Sequence, residues 1–274
     1  MAVARRYRDP DTLTLFSQGF RPFFFGAGLW SLCSVAFWLP VFNGGIILST
    51  AFDPVLWHAH EMIFGFVGAV LAGFLLTAVP NWTGRMPLHG AGLAWLFGLW
   101  LAGRGAIRFS DVIGIWAAAA IDLLFFVNLL FLILREIVAG RNWRNLPMTV
   151  ALGFLILGNA LIHLDAAGTA PAGDVGLRLS IAVIVMLISL VGGRIVPSFT
   201  RNWLAKRGET VFPAPFGWVD RVALLITLLA LAIWVAAPDR AITGYGLLAA
   251  AAVMAFRLAR WRRHSGARLS CCLS

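Results

Sequence analysis

The sequence predicts an all-α fold, a polytopic transmembrane helical bundle of about eight helices. Three observations carry that prediction. Of 274 residues, 60% are hydrophobic and only 12% charged, with a mean hydropathy of +0.85; so few charges cannot cover a soluble globule. Apolar runs of roughly 20 residues, the length that crosses a hydrocarbon core, recur from end to end with short loops between them. The basic residues gather in those short loops rather than along one face, as membrane topology requires. The net charge of +10 would suit a nucleic-acid partner, but its distribution excludes one and leaves the lipid bilayer as the partner.

In order, the runs are Phe20–Phe42, His58–Pro80, Leu88–Arg108, Val112–Leu134, Pro147–Ala166, Val175–Thr200, Val219–Ala237 and Ala241–Arg260. Residues 1–19 form a cytoplasmic N-terminal segment, 20–260 the bundle, and 261–274 a basic tail. Arg5, Arg6 and Arg8 precede the first run, which is too long for a signal-peptide core and lacks a small-residue cleavage site, so it reads as a retained helix. Cys33 lies inside that run, and Cys271 and Cys272 lie in the tail. With no CxxC, CxxCH or zinc spacing, no disulfide framework is expected, and any haem is held non-covalently.

Orientation follows from the 22 Lys and Arg residues. Arg194 falls inside a run and Arg104, Arg108, Arg178 and Arg240 on one side; all the others share a side with the two termini. Both termini are therefore expected in the cytoplasm, which puts His58, His60 and His163 near the outer face. The second run ends Val79-Pro80-Asn81-Trp82-Thr83 and the sixth Val196-Pro197-Ser198-Phe199-Thr200. Separated by four helices, these matching ends suggest a parallel four-helix repeat, although Pro and Asn end helices without any repeat.

The stretch Trp57-His58-Ala59-His60-Glu61-Met62 opens the second run with two of the five histidines. Ionisable groups at membrane depth are costly and count as functional candidates, and neutral imidazole is the commonest metal ligand. On a regular helix His58 and His60 lie about 200° apart. Either the first turn is irregular and both converge on one ion, or the two serve different faces. His58 and Glu61, three apart, share a face, so Glu61 is expected to support a ligand histidine.

In the fifth run, His163 lies at much the same depth as His60, with Asp165 placed to orient its ring. Two imidazoles at one depth on separate helices suit axial ligation of a non-covalent haem, with Arg104, Arg108 and Arg178 for the propionates. The metal-ligand candidates are thus His58, His60, Glu61 and His163. Arg104 and Asp122, on adjacent antiparallel helices, are expected to form an intramembrane ion pair, since either alone would be costly to bury.

Several longer motifs resemble the NnrS family. They are Phe16-Ser17-Gln18-Gly19-Phe20-Arg21-Pro22-Phe23-Phe24, Trp57-His58-Ala59-His60-Glu61-Met62-Ile63-Phe64-Gly65, the stretch from Gly73 to Gly84, and Gly192-Gly193-Arg194-Ile195-Val196-Pro197-Ser198-Phe199-Thr200-Arg201-Asn202. The resemblance runs from about Leu15 to about Trp261. It implies a multi-pass protein of the bacterial inner membrane that contains haem and copper and acts in nitric-oxide metabolism or nitrosative-stress resistance, with nitric oxide or a related small molecule as its partner. Catalysis and protection by metal handling both remain open. A polytopic small-solute transporter or channel fits the short loops and glycine-rich helices equally well. Family members usually continue for about four more helices, so the tail after Trp261 reads as a truncated end outside the family pattern, and an inactive fragment is a further alternative.

Overall fold

The computed structural model describes residues 13–210 and 212–262. Eight long helices account for most of them: α1 Phe20–Phe42, α2 Pro54–Thr83, α3 Gly90–Arg108, α4 Ile115–Ala139, α5 Leu146–Ala166, α6 Gly173–Lys206, α7 Trp218–Ala236 and α8 Ala241–Arg262. There are no strands among the described residues, and the all-α expectation holds.

All but α3 are long and apolar enough to cross a membrane, seven candidate spans against the eight expected. The third expected run does form a helix, but five glycines, Arg104 and Arg108 dilute its hydropathy. Large apolar side chains such as Phe25, Leu32, Trp95 and Phe131 stand exposed on the outside. Water would not tolerate so much apolar surface, whereas lipid does; the chain is a multi-pass membrane protein.

Local chemistry sets the helix ends. Asp53 caps α2, its Oδ1 accepting from the backbone N–H of Val55 at 2.9 Å, with Pro54 opening the first turn. This brings the start of α2 to Pro54, four residues before the expected His58. The Pro80 motif does not stop α2, which runs on to Thr83 and ends at Gly84. Likewise Pro197 lies inside α6, which continues to Lys206. Of the expected basic tail, Trp261 and Arg262 complete α8 and the remainder lies outside the described residues.

The chain divides into two compact units, the described residues up to Ser180 and those from Ile181 onward. The boundary falls within α6. In the first unit α2 packs on α1 and α4, and α4 packs on α3 and α5. Its core is aromatic: Phe23, Phe64, Trp100, Phe125 and Phe126 are all almost fully buried. Phe64 meets Phe126 edge-on at a centroid distance of 5.7 Å, a favoured geometry for aromatic pairs. In the second unit α7 and α8 pack together.

Candidate metal centre in the first unit

Helix α2 changes winding immediately after His60. Pro54–His60 is α-helical, Glu61–Val67 is π-helical, and α-helical winding resumes at Gly68. Such wide turns are rare and occur often at functional sites. Here the wide turn lets the consecutive residues His60 and Glu61 both face the core, each with 0% exposure. It also presents the Gly65 carbonyl, which accepts from Trp100 Nε1 at 3.0 Å. Glycine is needed at position 65, because a Cβ there would lie 2.6 Å from Trp30 Nε1 and 2.9 Å from Glu61 Oε2.

Around this turn lies a buried polar cluster drawn from five helices. Arg104 on α3 donates from Nη1 to Glu61 Oε1 at 2.7 Å and from Nη2 to Asp122 Oδ1 on α4. Trp30 on α1 donates to Glu61 Oε2 at 2.7 Å. Asn159 on α5 donates from Nδ2 to Asp122 Oδ2 at 2.7 Å, and its Oδ1 lies 2.9 Å from His60 Nε2. The Nε2 atoms of His60 and His163 both lie 3.3 Å from that same Asp122 Oδ2. His60 Nδ1 lies 3.2 Å from Glu61 Oε1. Gly103 makes room for the carboxylate, since a Cβ there would approach Asp122 Oδ1 to 2.9 Å.

A strap seals the cluster. Ala51 N donates to Ser110 Oγ at 2.9 Å and Thr50 Oγ1 donates to the Ile107 carbonyl at 2.9 Å, fastening the chain before α2 to the end of α3. Phe52, on that strap, lies over both imidazoles, with ring centroids 5.4 Å from His60 and 5.5 Å from His163.

Two features make the cluster receptive to a cation. With neutral imidazoles, two carboxylates face a single guanidinium, which leaves one negative charge without a partner in a low-dielectric interior. Moreover, the atoms facing the His60 ring nitrogens are Glu61 Oε1, Asn159 Oδ1 and Asp122 Oδ2, all acceptors. A neutral imidazole carries one N–H, so its other nitrogen points a lone pair at oxygen. His60, Asp122 and His163 each offer a ligand atom within 4.8 Å of the others, and all three residues are buried. Two imidazoles and a carboxylate form a donor set suited to copper, zinc or non-haem iron.

That set fits a single ion, and copper is among the ions it suits. A haem between the two histidines does not fit this arrangement. Both Nε2 atoms converge on one carboxylate oxygen instead of opposing one another, Asn159 occupies the space beside them, and the ring centroids are 5.5 Å apart. A macrocycle would have to displace Asn159 and part the helices.

The expected residues are thus partly brought together. His60 and His163 meet, and the Arg104–Asp122 pair forms as expected. Arg104, 3% exposed, gives its guanidinium to Glu61 and Asp122. His58 leaves the cluster: its ring stacks on Trp38 of α1 at 4.3 Å, and Glu61 supports His60 instead. The two histidines therefore serve different faces. Arg178 makes none of these contacts; its Nε is buried without a hydrogen-bond partner among the described residues. The His163 ring is held by Asp122, not by Asp165.

The expected metal-ligand candidates did not include Asp122, and Asn159 was not expected in the cluster. The spacing of Asn159 and His163, four apart on α5, puts both on one face and was the available signal.

No curated protein and no solved structure matches the chain. A family model described as NnrS protein matches residues 14–273. The match runs through nearly all of the basic tail, which corrects the expectation that the tail departs from the family pattern. This long match agrees with the motifs around His60, Pro80 and Pro197, and the chain belongs to the NnrS family.

Proposed function

We propose that this chain is a metal-associated membrane protein of the nitric-oxide response, in which His60, Asp122 and His163 hold one copper ion. Family membership points to a nitric-oxide-response membrane protein and suggests metal or haem binding. The observation that carries the finer reading is the convergence of three ligand atoms within 4.8 Å in a buried cluster short of one positive charge. That charge can be a proton or a metal ion, and the three convergent donors favour the ion.

A copper ion bound there would supply one-electron chemistry. The chain's own residues set its surroundings. Glu61 orients His60 through Nδ1, and Arg104 braces both carboxylates. Asn159 fixes the Asp122 oxygen that both imidazoles face. Phe52 and Phe64 keep water away from the rings. Nitric oxide, small and apolar, reaches such a site through lipid. The location is the bacterial inner membrane with the Arg-rich end of the bundle in the cytoplasm, which cysteine labelling on either side of the membrane tests.

The principal experiment is metal analysis of the protein purified from copper-replete membranes, alongside growth of producing cells under a nitric-oxide donor. Wild type should carry about one copper per chain, His163→Gln and Asp122→Asn should lose it, and the same variants should lose protection. Copper-free wild type, or copper retained in both variants, overturns the assignment.

A second reading is a closed structural network without an ion. Asn159 favours it, since it already bridges His60 and Asp122. Under that reading the variants change stability while metal content and protection stay constant.

A further inference from the structure

At the other end of the first unit, between α2 and α4, lies a cavity of about 340 Å³. Its floor is apolar, formed by Leu76, Val79, Pro80, Leu132 and Ile133, while Arg85, Arg135, Glu136 and His89 stand at its rim. It falls within the size range of small-molecule sites, roughly 300–1,000 Å³. It plays no part in the cluster around His60.

The rim is assembled around Glu136. Arg85 donates to it from Nε, and Arg135 donates from Nε and Nη2 at 3.0 and 2.8 Å. Arg85 and Arg135 remain about half exposed. One carboxylate thus holds two guanidiniums side by side, and the bracket keeps a net positive charge of one. Arg85 engages Glu136 through Nε alone, so its two Nη groups remain available for a second acceptor. At His89, Nδ1 donates to the Pro87 carbonyl at 2.9 Å, which leaves Nε2 at the rim without a hydrogen-bond partner among the described residues. Below the bracket, the floor residues belong to two membrane-spanning helices. Phe131 and Leu134, beside the floor residues Leu132 and Ile133 on α4, are exposed on its surface.

We infer that this cavity binds an anionic phospholipid, its phosphate on the Arg85–Glu136–Arg135 bracket and the start of an acyl chain on the Leu76–Val79–Leu132–Ile133 floor. Guanidiniums recognise phosphate through paired, charge-assisted hydrogen bonds. Basic residues at the end of a membrane span meet lipid headgroups directly. A free phosphate would satisfy the rim and leave the apolar floor empty. A neutral lipid would fill the floor and leave the bracket's charge unmatched. Only a molecule with both parts satisfies the whole cavity.

The test is native mass spectrometry of the intact chain from nanodiscs of phosphatidylglycerol or phosphatidylcholine. Wild type should retain phosphatidylglycerol about fivefold over phosphatidylcholine for the one net charge. Glu136→Gln should raise that preference, and the Arg85→Gln/Arg135→Gln double variant should abolish it. Leu132→Trp, which fills the cavity at a partly buried position, should reduce retention of both lipids. Equal retention of the two lipids by wild type overturns the proposal. So does displacement of the bound anion by millimolar inorganic phosphate with Leu132→Trp behaving as wild type, which would mark a headgroup-free anion site.

Discussion

Each unit buries an arginine against a carboxylate, and the two are built to opposite balances. In the first, Arg104 is shared between Glu61 and Asp122, two carboxylates to one guanidinium. In the second, Asp220 on α7 accepts from Arg257 Nε on α8 at 2.8 Å, with Arg260 Nη1 at 3.6 Å, one carboxylate to two guanidiniums. Arg257, fully buried, also donates to the Ser189 carbonyl at 2.9 Å, and Asp220 accepts from Gly217 N at 2.9 Å. The second arrangement clamps three helices together, α6, α7 and α8, and among the described residues places no imidazole beside its carboxylate. The first leaves surplus acceptors and gathers ligand atoms around them. A buried ion pair is by itself weak evidence of function; the surplus and its sign separate a candidate site from a clamp.

Removal of each arginine breaks this comparison most directly. Arg104→Met strands two buried carboxylates and should cost about 3–5 kcal/mol of stability, read as thermal unfolding of the detergent-purified protein. Arg257→Met should cost less, about 1–3 kcal/mol, because Arg260 and Gly217 N still serve Asp220. Equal losses would mean that the two clusters play the same structural part.

Pairing sharpens it next. The double variant Arg104→Met/Asp122→Leu removes opposite charges together and should fall short of the summed single losses by about 1 kcal/mol or more. Strict additivity would show that the contact carries no coupling.

His163→Gln should cost only about 1 kcal/mol, as its contact with Asp122 is long at 3.3 Å, yet copper content should fall to background. Asp220→Asn in the second unit should leave copper unchanged. Smallest of all is His58→Ala, which loses a stacked contact with Trp38 worth about 1 kcal/mol and should leave copper in place. Loss of copper in His58→Ala would return that residue to the ligand set.

Much of the fold was legible in the chain. The first helix forms over the expected Phe20–Phe42, and the others differ by a few residues at their ends, because apolar runs of spanning length leave the backbone little alternative to a helix. His60, His163 and the Arg104–Asp122 pair were also readable, since ionisable residues in apolar runs are few and each needs a partner. Helical phase offered the separation of His58 from His60 as one of two alternatives, and regular α-helical winding over Pro54–His60 decides for it.

Other features required the tertiary structure. The π-helical turn at Glu61–Val67, which faces Glu61 towards His60 and Arg104 rather than His58, depends on packing against Trp30 and Trp100. Arg257 reads in the sequence as one of several basic residues at a helix end, and only the fold buries it on Asp220. The convergence of His60, His163 and Asn159 on one oxygen of Asp122 joins residues up to 103 positions apart. Sequence thus determined which residues had to find partners inside the membrane, because an isolated charge there is costly. Tertiary packing decided which partners they found, because ligand convergence rests on helix rotation and side-chain fit, which local sequence does not specify.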